Sequence, residues 1–199
     1  MKRLKQLLFL TFLIFTACFA SQTVSAQRLG NPRVTARAER ESKDKFTISA
    51  RTPKGAIVYA VRQPSAGVLA AIDKGLDDLF AVARKHGYYA RLNHSYYMIY
   101  IARPDRLKDR DGNYSPAIAV DAGGFAGGAY DQGGFIYVAG MVFYLNPDSF
   151  LIVDYGNDLK SFSDIVRYEG EHIILYYNDR RLYDQTASHG DGGGHPILK

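Results

Sequence analysis

Apolar residues recur at helical spacing most clearly between Pro64 and Gly87, where Val68, Leu69, Ile72, Leu76, Leu79, Phe80 and Ala83 fall on one face. Pro64-Ser65 ahead of that run supplies a start, and Lys85, His86 and Gly87 supply a stop, so a helix is predicted there. Shorter alternating runs at 45–51 and 56–62 flank Thr52-Pro53-Lys54-Gly55, whose residues suit a hairpin turn. Further strands are predicted at 96–102, 116–120, 134–142 and 150–155, divided by turns rich in Asp and Gly. A second helix is predicted from about 161 to 177, with Ser163-Asp164 as its N-cap and Asn178-Asp179 as its stop. Helix, then sheet, then helix predicts an α+β domain with an antiparallel or mixed sheet and two main helices.

The chain ends follow different patterns. Lys2, Arg3 and Lys5 precede an apolar run from Leu7 to Ala20, and Val24-Ser25-Ala26 has the small residues of a signal-peptidase site. Residues 1–26 therefore read as a secretory signal, the mature chain as beginning at Gln27, and its location as periplasmic or secreted. Phe15-Thr16-Ala17-Cys18 offers a rival reading, a lipoprotein box with Cys18 lipidated, but Phe15 stands where such boxes carry leucine. Residues 27–44 are polar and charged, and read as a solvated lead-in or edge element. Residues 45–199 then form one α+β domain ending in a glycine-rich tail.

Composition narrows the function classes. Removing residues 1–26 takes away three cations and no acid, so the formal charge falls from +5 to +2, and the case for a nucleic-acid partner goes with it. Cys18 is the single cysteine and lies within the signal, which leaves the mature domain without thiol or disulfide chemistry. No second apolar stretch is long enough to span a bilayer. With 15 Tyr, 11 Phe and no Trp, the aromatic content suits a strand-rich body carrying half-buried phenols.

The chemistry-bearing stretch is Tyr168-Glu169-Gly170-Glu171-His172. Arg167 and Glu171 stand four residues apart and are predicted to pair across an exposed turn, with Glu171 facing solvent. Glu169 has no cation at helical spacing, so its carboxylate and the His172 imidazole are predicted to be buried and to need a partner beyond the helix. His189 and His195 follow in the Gly-rich tail and are predicted to fold back toward His172 on the Glu169 face.

This stretch resembles the His-Glu-x-x-His helix of zincin-type metallopeptidases, with Tyr168 in the first histidine's place. The resemblance extends in topology over about residues 65–179 and in motif over five residues. It implies a zincin-like metal-dependent hydrolase of peptide or protein substrates, active or degenerate, in which Glu169 activates water and His172 binds zinc. Tyr168, a neutral phenol, is a poor zinc ligand. His189 and His195 are the candidate replacements. The other readings of these residues are a purely structural tail, or a hydrogen-bonding or acid–base role without metal.

Other signals carry less. The glycine-dense run from Asp121 to Gly134 lacks phosphate-loop spacing and reads as a hairpin loop beside the cleft, with Asp131 its polar candidate. Residues 109–113 lack the spaced acids of a calcium loop. His86 and His94 stand alone in sequence and read as structural or exposed. No Gly-x-Ser-x-Gly elbow is present. The alternative to a hydrolase is a non-catalytic secreted binding module, in which a tyrosine-rich sheet and the glycine loop contact a protein or glycan.

Overall fold

The computed structural model describes residues 32–42, 44–103, 129–132, 135–138, 148–154, 156–187 and 193–198. The expected signal with Cys18, the strand at 116–120, the turn at 109–113, most of the glycine run and His189 lie outside them.

The first described element is a helix, α1 (Pro32–Ser42), where the sequence reads as a polar lead-in. Its buried face is built from Val34, Thr35, Ala38 and Ser42, small or weakly polar residues at helical spacing that average hydrophobicity does not reveal. Pro32 takes the first helical position, where a missing N–H costs nothing. The Thr35 hydroxyl lies 3.0 Å from the Tyr100 hydroxyl, and the buried Asp44 carboxylate accepts from the backbone N–H of Arg103 at 3.0 Å and from its Nε at 2.5 Å.

Strands β1 (Ile48–Arg51) and β2 (Ile57–Ala60) form the expected hairpin, antiparallel, with Gly55 at φ 103°. Helix α2 (Ala66–Lys85) then crosses to β3 (Met98–Ala102), which pairs in parallel with β2. The Ser65 side chain accepts from Val68 N at 3.2 Å, the N-cap that its position suggested. Strands β4 (Ala129–Gln132) and β5 (Phe135–Val138) make a separate antiparallel pair, and β6 (Ser149–Val153) joins β3 in parallel. The main sheet runs β1-β2-β3-β6 and is mixed. Its central strand β3 is buried at all five positions, as parallel pairing on both sides requires.

Helix α3 (Leu159–Asn178) follows, then the short α4 (Arg180–Thr186). The expected N-cap at Ser163-Asp164 is displaced to Asp158, whose carboxylate accepts from Ser161 N at 3.0 Å; Ser163 is buried inside the helix. The first turn of α3 is exposed apart from its packing at Phe162, so hydrophobic periodicity starts one turn late. The stop at Asp179 is as expected.

Ile72, Leu76 and Leu79 of α2 and Val166, Ile173 and Ile174 of α3 are almost wholly buried. Each is worth about 1.5–3 kcal/mol of burial. The helices approach through two glycines: a Cβ on Gly75 would meet the Ser163 carbonyl and Val166, and one on Gly170 would meet Leu79 Cδ2 at 2.7 Å. Among the described residues, no helix is long and apolar enough to cross a membrane.

Candidate functional site

Close packing of α3 against α2 and the sheet leaves its middle turns with almost no solvent. Glu169 and Glu171 are both 0% exposed and His172 is 1% exposed. Burial of Glu169 and His172 is as the lack of helical partners implied. Burial of Glu171 is not, and the expected Arg167–Glu171 pair does not form.

The reason lies in the tail. Residues 193–198 fold back onto α3, and the two Glu171 oxygens are divided between them: Oε2 accepts from His195 Nδ1 at 2.7 Å and Oε1 accepts from Ile197 N at 2.8 Å. Ile197 buries its side chain at 4% exposure, and Gly194 N donates to Thr186 O at 3.0 Å on the other side of His195. A carboxylate with a charge-assisted bond on one oxygen and a backbone N–H on the other is well satisfied without Arg167. The Arg167 guanidinium instead lies 5.2 Å over the Tyr168 ring, and its Nε finds no hydrogen-bond partner among the described residues.

The fold-back brings His195 to the helix as expected. Its ring centroid lies 5.0 Å from that of His172, with 55° between the planes, and 4.8 Å from that of Tyr168. The His195 side chain keeps 15% exposure, so the cluster reaches the surface through that ring. Tyr168 flanks His195 as a packing partner.

Two imidazoles sharing one tetrahedral ion have centroids about 5 Å apart, given metal–nitrogen bonds of about 2.0–2.1 Å. The observed spacing of His172 and His195 fits that figure, and the donors are of the type zinc takes. Catalytic zinc takes three protein donors. Among the described residues, no three histidine, cysteine or acidic side chains are grouped to hold a metal, so the pair supplies two. His189, the expected further ligand, lies outside the described residues. Asp131 belongs to β4, opposite Ile136 in register, and its side chain is likewise outside the description.

In the main sheet Tyr59 and Tyr100 are buried and stack at 5.3 Å. Among the described residues, the exposed phenols are on the α2–β3 connection, with Tyr89 at 72% and Tyr96 at 46% exposure. Arg91, at φ 65°, places its guanidinium 4.9 Å from the Tyr96 ring and 4.0 Å from the Tyr177 ring. Asn178 braces this loop, its Oδ1 accepting from Tyr89 N at 3.0 Å and Ala90 N at 2.9 Å. His94 lies against α2, its Nε2 3.4 Å from Asp77 Oδ1.

No protein family, no curated protein and no solved structure matches this chain.

Proposed function

We propose that this chain is an exported, zincin-like metal-dependent hydrolase of peptide or protein substrates. The observation that carries the reading is the 5.0 Å pairing of His172 with His195 on the buried turn that also holds Glu169. His172 and His195 would hold the metal, with His189 as the candidate third ligand. Zinc, when bound, would polarise the scissile carbonyl and acidify a water molecule. Glu169, one residue after Tyr168 and three before His172, is placed in sequence where it would serve as the general base toward such a water. Tyr168 packs beside the His195 ring and limits its movement.

Metal analysis of the purified mature protein tests the reading. Bound zinc near one equivalent is expected in the wild type, and at least a tenfold lower content in His172→Ala. Metal absent from the wild type, or unchanged in the variant, would overturn it. Export is tested separately by intact mass: the expected chain begins at Gln27, and a diacylglyceryl adduct on Cys18 would replace this route with lipid anchoring.

A second reading has one observation in its favour. The braced loop carrying Tyr89, Arg91 and Tyr96 displays rigid aromatic surface, the composition found at binding surfaces. On that reading the chain is a secreted binding module. Tyr89→Ala would then abolish partner capture while leaving metal content unchanged.

A further inference from the structure

We infer that Glu171 is the positioning residue of this site, fixing which nitrogen of His195 carries the proton and which the lone pair. The inference rests on the proposed imidazole pair but is carried by the Glu171 contacts themselves. A carboxylate only accepts hydrogen bonds, so the 2.7 Å contact from Glu171 Oε2 requires a proton on His195 Nδ1. In the neutral ring this puts the lone pair on Nε2, the nitrogen whose chemistry can then bind a metal or accept a proton. A carboxylate behind a ligating imidazole is the general means of fixing its tautomer and raising its basicity.

The second Glu171 oxygen serves the same end. By accepting from Ile197 N at 2.8 Å, it ties the backbone two residues beyond His195, while Gly194 N is held by Thr186 O one residue before it. The imidazole is thus held through its own ring and through the backbone on both sides. Docking the tail alone requires no charge, since Ile197 already buries its side chain. Full burial of a carboxylate is costly, and an apolar residue would hold the tail with less desolvation. What an apolar residue cannot do is select the Nδ1–H form.

Glu171→Gln separates the roles. The amide has one acceptor oxygen and one donor NH2, so it serves Ile197 N or His195 Nδ1–H but not both. With the oxygen kept on Ile197, the NH2 faces Nδ1 and favours the Nε2–H form.

The experiment is nitrogen-15 NMR of the His195 ring in the metal-free full chain, wild type and Glu171→Gln, under conditions where the ring is neutral, followed by zinc titration of both. The wild type is expected in the Nδ1–H form. The variant is expected to shift toward Nε2–H and to lose about 10–100-fold in zinc affinity. An Nε2–H wild type, which can be read without any variant, or a tautomer that Glu171→Gln leaves unchanged, would overturn the assignment. A shifted tautomer in a chain that does not take up zinc would uphold Glu171 as the positioning residue and overturn the metallohydrolase reading instead.

Discussion

Gly75→Ala is expected to destabilise the protein by about 2–3 kcal/mol, the upper part of the range for overpacking a filled interior. A Cβ there would overlap the Ser163 carbonyl oxygen and stand 3.0 Å from Val166 Cβ. A backbone carbonyl inside α3 cannot swing aside as a side chain can, so relief requires the helices to separate along the contact that buries Ile72, Leu76 and Val166. The intrinsic helical gain of alanine over glycine, about 1 kcal/mol, is smaller than this cost. The melting temperature should fall by roughly 5–10 °C for a domain of this size. Gly67→Ala is the control: its Cβ would stand 3.1 Å from the side-chain tip of Leu159, a residue 40% exposed and free to turn, and in ordinary contact at 3.6 Å with Ser65 Oγ. That variant should be neutral or slightly stabilising. Equal thermal stability of the two variants would refute the close crossing.

The second large effect is alkaline unfolding. Burial is the main cause that raises the phenols of Tyr97 and Tyr100 well above their ordinary value, and it pushes Tyr183 up to about 12. Above pH 10 the unfolded chain releases these protons while the folded chain keeps them. The unfolded state then binds fewer protons, so stability falls as pH rises. Below pH 10 both states are protonated and the stabilising contribution is fully present. Tyr97 and Tyr100, at 1% and 0% exposure, together give a slope of about 2.7 kcal/mol per pH unit. The loss reaches about 5 kcal/mol by pH 12, the lower end of a total of about 5–15 kcal/mol, so the domain should unfold cooperatively at or above that pH. Phenolate absorbance and far-ultraviolet circular dichroism should change together. Gradual ionisation of every tyrosine near pH 10 with the fold intact would contradict this.

Sequence reasoning succeeded where one element carries its own signal. Helix α2 declares itself through seven apolar positions, the Ser65 cap and Gly87, which takes φ 76° beyond the last turn. Burial of Glu169 and His172 followed from the absence of a helical counter-charge. It failed where a distant segment decides. Glu171 had a suitable cation at Arg167, and local pairing is worth only about 0.2–0.5 kcal/mol. Two hydrogen bonds from the tail, 24 and 26 residues on, outweigh it. Similarly, α1 hides its buried face in Thr35, Ala38 and Ser42, and the Thr35 hydroxyl finds its partner at Tyr100 of β3, 65 residues on. Gly75 and Gly170, each inside a helix, are the signals of the crossing that local patterning does not interpret.

Parallel pairing makes this sheet depend on distant contacts. Ile57 of β2 meets Met98 of β3 across about forty residues of chain, and Met98 meets Ser149 of β6 across about fifty more. Helix α3 follows β6, and the tail needs α3 in place before Glu171 can receive it. The histidine pair therefore exists only where β6, α3 and the tail are all in place, and it reports on the integrity of the whole C-terminal half of the domain.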